Sequence, residues 1–150
     1  MNHLPAAEIV EFVRLGQRVS TNFTVTLPSR EVFDAVMAAA ERVNSFDPRE
    51  VAQTIGSLFD NAMRVTFGAE GSPVLYIEVP FFTHQRITAP TGFGDRYSDD
   101  QRRDFARQVI SWARAMRADE IFVEQYPETN GCVVEGEPGE HPHRIRIWWD

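Results

Sequence analysis

Apolar positions recur along this chain with two different periods, and the switches between them mark its elements. Over Pro5–Gly16, Ile9, Phe12 and Val13 fall at helical spacing, and Pro5 suits a first turn because its missing N–H needs no partner there. From Asn22 to Leu27 the period drops to two. Phe23, Val25 and Leu27 alternate with Asn22, Thr24 and Thr26, as in a strand with one apolar face. Pro28 ends that strand, and Ser29 is placed to cap a helix over Arg30–Asn44, whose apolar side is Val32, Phe33, Val36, Met37, Ala40 and Val43. A further helix starts at Asp47-Pro48-Arg49-Glu50 in a capping-box pattern and carries Val51, Ile55, Leu58 and Ala62 on one face. Gly56 either weakens this helix or lets it approach a neighbour closely.

Met63–Phe67 and Val74–Phe81 then read as a hairpin, with Gly68–Pro73 as the turn. The second arm is apolar on both faces apart from Glu78, which predicts a central strand, and Pro80 removes a ladder donor near its end. Ser98 and Gln101 form a capping box for a helix over Asp99–Ala118, with Phe105, Val109, Trp112 and Met116 as the buried stripe. Ile121–Tyr126 and His143–Trp149 are strands, and Cys132–Glu135 is an optional short one.

This order predicts an α+β fold. Its middle, β-α-β-β-α-β, matches the ferredoxin-like, split β-α-β arrangement: an antiparallel or mixed sheet with helices packed mainly on one face, plus an N-terminal helix and a C-terminal hairpin. The 150 residues suit a single globular domain, 1–150. Thr83–Tyr97 and Tyr126–His143 are rich in Gly and Pro but too short to separate domains.

Composition narrows the function classes. All 15 residues counted as Lys+Arg are arginine, so Schiff-base lysines and the phosphate-loop lysine are excluded. GC-rich codon usage accounts for much of this bias; escape from lysine tagging, as in a phage or mobile-element product, is the other reading. A net charge of -7 disfavours nucleic acid, whose phosphates need cations, and favours a basic partner or simple solubility. The single cysteine, Cys132, excludes an internal disulfide and fits a reducing cytoplasm. Glu8 and Glu11 and the lack of a basic start argue against a signal peptide, and no apolar run has the ~20 residues of a membrane span.

The densest mix of reactive groups lies in the loop after the central strand. In an enzymatic reading His84 is the acid or base, Arg86 and Arg96 clamp an anion, and Tyr97 orients it. The competing reading is a surface loop fixed by Arg–Asp pairs, since Gly92-x-Gly94 lacks the rest of a dinucleotide fingerprint. His141-Pro142-His143, with Glu140 or Cys132, has no zinc spacing and reads as a turn, so no metal or other cofactor is expected. Cys132 reads as a small apolar packing residue beside Val133 and Val134. Ser29 and Ser98 read as caps, Ser72 as a turn residue, and Asp99-Asp100 as complements to a helix dipole. Arg103, Arg107 and Arg114 read as a solvated helix face pairing with Asp99, Asp100 and Asp104.

The C-terminal third is the most directional part. Ala118–His143 holds seven acidic residues and no arginine. Glu120, Phe122, Glu124 and Tyr126 share one strand face by alternation, and Arg144, Arg146 and Trp148 share another. If the strands are neighbours, these residues form either a structural set of cross-strand pairs or an interaction surface of Glu120, Phe122, Glu124, Tyr126 and Trp148. The sequence thus points to a small acidic, non-enzymatic interaction domain: an inhibitor, an adaptor or a homodimeric accessory protein. The alternative is a small-ligand or hydrolytic enzyme using the His84–Tyr97 loop.

Overall fold

The computed structural model describes residues 5–82, 96–126 and 132–150. Helix α1 (Ala6–Arg18) leads into strand β1 (Phe23–Thr26). Helix α2 (Arg30–Ala39) follows, with the Ser29 side chain accepting from the Val32 N–H. It stops short of the expected Asn44 because Ala40 turns extended at ψ 145. Asp47 caps α3 (Pro48–Thr54) by accepting from the N–H groups of Arg49 and Glu50. Gly56, at φ 52, then breaks the expected single helix, and α4 (Ser57–Asn61) starts anew.

Strands β2 (Arg64–Ala69) and β3 (Pro73–Glu78) form the hairpin. Helix α5 (Asp99–Ala115) has the full Ser98–Gln101 capping box. Strands β4 (Glu120–Gln125), β5 (Val133–Glu135) and β6 (Pro142–Trp148) complete the chain.

The fold is α+β, and the described residues form five helices and one six-stranded antiparallel sheet in the order β1-β2-β3-β6-β4-β5. The ferredoxin-like order is not the one adopted. It would make β1 and β2 parallel with another strand between them, but they are antiparallel neighbours at the sheet edge. In the second half β3 and β4 both pair antiparallel with β6, so they run parallel on either side of it. The last strand therefore takes a central position.

Alternation decides what each face meets. Val65, Phe67, Leu75, Ile77, Ile121, Val123, Ile145, Ile147 and Trp149 point to one side and join residues from all five helices in one buried cluster. Trp149 is fully buried, and its indole N–H is satisfied by the Met116 carbonyl at 2.9 Å. Arg102, 5 % exposed, clips the ends of two strands together. It donates to the carbonyls of Pro80 (3.2 Å) and Pro142 (2.8 Å), and its guanidinium lies 4.2 Å from the Phe81 ring centroid.

Gly68 fixes how closely β1 lies on β2. It pairs with Thr24, and a Cβ there would fall on the Phe23 carbonyl oxygen. Gly71, at φ 76, has nothing within 4 Å of such a Cβ. We expect Gly68→Ala to cost at least the ~1–3 kcal/mol typical of overpacking, since backbone and not a flexible side chain must move. Gly71→Ala should cost only the ~1–2 kcal/mol of a left-handed alanine. Urea midpoints of the two variants check this; equal midpoints would refute the close-approach argument.

Candidate functional site

The sheet face opposite the core meets none of the described helices, each of which sends buried apolar side chains into the cluster on the other side. Register sets its side chains in three rows across β3, β6 and β4. One row is Val74, Trp148 and Glu120; the next is Tyr76, Arg146 and Phe122; the third is Glu78, Arg144 and Glu124.

Charge holds these rows together. Arg144 grips Glu124 with two parallel bonds, Nε–Oε2 at 2.8 Å and Nη2–Oε1 at 3.1 Å, and stands 4.3 Å from the Tyr76 ring centroid. Arg146 donates from Nε to Glu70 (2.9 Å) and from Nη1 to Glu120 (3.3 Å). Arg64 reaches Glu78 at 3.4 Å.

Glu70 is the hub. The turn between β2 and β3 folds it back over the sheet, with Gly71 in the left-handed region and its N–H held by Asn22 Oδ1 at 3.0 Å. The Tyr76 hydroxyl donates to the Glu70 carboxylate, 2.9 and 3.0 Å from its two oxygens. Trp148 Nε1 donates to the Glu70 carbonyl at 3.0 Å, so the indole must reach across β3.

The titration shifts follow from this packing. Burial raises the Tyr76 pKa, and the Glu70 carboxylate that accepts its proton raises it further, against an opposing pull from Arg146. Burial works against the charge on Arg144 and Arg146, but hydrogen bonds and attraction from Glu124 and Glu70 outweigh it, and both lie above the usual arginine value.

Glu120, Phe122, Glu124 and Trp148 thus lie together on one face, half-buried. Tyr126 lies one residue past the end of β4, and the extra residue of the register shift at that end is in β6, between Pro142 and Arg144. The Tyr126 ring instead packs edge-on to Phe81, with His143 at 6.0 Å.

Of the loop residues, His84 and Arg86 lie outside the described residues. Arg96 is exposed and bridges to Phe82, and the Tyr97 N–H donates to the Phe81 carbonyl at 2.8 Å. Cys132 is a correction: it is exposed, because β5 is a three-residue edge strand and buries little. His141 is exposed and His143 half-buried, and among the described residues no group of three His, Cys, Asp or Glu side chains is placed to hold a metal.

The arginines of α5 do more than pair along the helix. Arg103 does pair with Asp100, but it also donates to the Glu140 carbonyl, and Arg114 donates to that of Gly136. Both therefore tie down the chain between β5 and β6. Neither this nor the role of Glu70 has a signature in periodicity, because each contact depends on strand order.

Comparison with known proteins gives no match to any family model, to any curated protein or to any solved structure.

The Tyr76–Glu70 contact predicts a pH dependence. An unfolded tyrosine loses its proton near pH ~10, while folded Tyr76 keeps it to higher pH. Over that window the unfolded state binds fewer protons, so stability is full below pH ~10 and falls as pH rises toward the folded pKa. Tyr76→Phe should cost about 1–2 kcal/mol at neutral pH, through the lost hydrogen bond, and flatten this alkaline decline. Melting temperatures of both proteins from pH 8 to 11.5 check it; parallel curves would remove Tyr76 from the account.

Proposed function

We propose that this chain is a non-enzymatic protein-interaction domain that docks a basic partner on the sheet face that no described helix covers. The observation that carries this reading is the ordered set of Phe122, Trp148 and the Glu–Arg rows, which no described helix covers. Aromatic and arginine side chains among fixed charges are the composition of interface centres.

Charge supports the choice of partner. Glu70, Glu78, Glu120, Glu124 and Glu135 outnumber Arg64, Arg144 and Arg146 on and around the face. The chain as a whole carries -7. A surface with that excess steers a cationic partner and repels an anionic one. The arginines are engaged by glutamates of the same face, so they fix side-chain positions and do not stand ready as clamps for a small anion. No helix of the described residues is long and apolar enough to cross a membrane.

The test compares affinity capture by the wild type with capture by Phe122→Ala, Glu120→Gln and the control Asp104→Asn, which lies exposed on α5. Glu120→Gln leaves Arg146 its Glu70 partner, so the network survives. The captured partner should have a basic surface. Its affinity should fall at least tenfold with Phe122→Ala, the scale of an interface anchor, and weaken as salt rises. Retention of the same partner by folded Phe122→Ala and Glu120→Gln would overturn this reading.

A further inference from the structure

On the far side of the molecule from that face, α1 presents a second feature. Ile9, Val13 and Gly16 are buried, with Gly16 packed so tightly that a Cβ there would lie 2.5 Å from the Phe23 ring. The outer side of the helix carries Phe12 and Leu15, with Val19 at its C-cap, and these are 47 %, 57 % and 57 % exposed. Their spacing of three and then four residues is that of a coiled-coil seam, with Phe12 and Val19 at a positions and Leu15 at d. A soluble surface rarely lines up three large apolar side chains in this register without a partner helix.

We propose that α1 is a homodimer interface, packed antiparallel against α1 of a second copy. Charge selects this occupant. Glu11 and Arg18 both occupy the g position beside the seam. A two-fold axis across two antiparallel helices brings g against g, so Glu11 of each copy meets Arg18 of the other. Placing Phe12 of one copy against Leu15 of the other sets Glu11 between Arg14 and Arg18 of the opposite chain, within reach of all three long side chains. A parallel pair sets g against e instead, which is the buried Gly16 and offers no charge. The space for this contact exists. Beside Arg14 and Arg18, α2 contributes only Ala35, Ala38 and Ala39, leaving an open groove of about 510 Å³ with Glu41 on its wall.

A three-residue seam is small, so the dimer is expected in the micromolar range or weaker. Sedimentation equilibrium over a concentration series to about 1 mM should show a monomer–dimer equilibrium that weakens with salt. Leu15→Glu, at an exposed position, should keep the melting temperature of the monomer and weaken dimerisation at least tenfold. E11R and R18E should each weaken it as well. An E11R chain carries two arginines at these positions and an R18E chain two glutamates, so an equal mixture should dimerise again. Phe122→Ala should leave the dimer intact, which separates this interface from the sheet face. A wild type that stays monomeric, a dimer indifferent to Leu15→Glu, or a mixture that fails to recover would each overturn the proposal.

Discussion

Strand β6 has a hydrogen-bonded neighbour on both sides, β3 and β4, and its alternation therefore sets both faces of the molecule at once. Ile145, Ile147 and Trp149 enter the core, while Arg144, Arg146 and Trp148 enter the opposite face. A slip of one residue would bury two guanidinium groups among aliphatic side chains, at a cost of several kcal/mol per ion. The register is thus fixed by electrostatics as much as by burial. The five helices only need to cover the side that β6 has made apolar.

The other side is stabilised by a different device. Its arginines are held in position by partners on more than one strand. Arg146 joins the β2–β3 turn through Glu70 to β4 through Glu120, with Trp148 5.8 Å away. A planar guanidinium can make these bonds in fixed directions, where an ammonium would act as a point charge. Isolated exposed ion pairs contribute little, ~0–1 kcal/mol each, but a network sharing Glu70, Tyr76 and Arg146 loses less freedom per bond. The face is accordingly pre-ordered, and a partner docking there would not have to immobilise it.

The local elements were legible in the sequence because their signals are local. Ser29, Asp47 and the Ser98–Gln101 box cap the helices that their sequence positions predict. The two long helix expectations that broke did so at backbone positions: Ala40 turning extended and Gly56 at positive φ. Strand order was not legible, because the pairing of β6 between β3 and β4 joins residues some 70 positions apart, as Leu75 with Ile147 shows. The same limit hid Glu70. A glutamate in a hairpin turn has no periodicity, and its role appears only once Tyr76, Arg146 and Trp148 converge on it. Tyr126 is a smaller case: alternation holds through β4, but the strand ends at Gln125, one residue before it.

Arginine placement links these parts. The segment Ala118–His143 has no cation of its own, yet its acids and carbonyls are met by arginines from either side. Arg144 and Arg146 reach Glu124 and Glu120 across the ladder, and Arg103 and Arg114 reach the Glu140 and Gly136 carbonyls from α5. Uncompensated, so many carboxylates in one stretch would repel one another and extend the chain. Glu120 and Glu124 are neutralised from β6, the α5 arginines hold the Glu140 and Gly136 carbonyls, and the described parts of the stretch lie against both β6 and α5. The acidity that suggests a basic partner is therefore first a structural demand, and only the surplus beyond it is left for recognition.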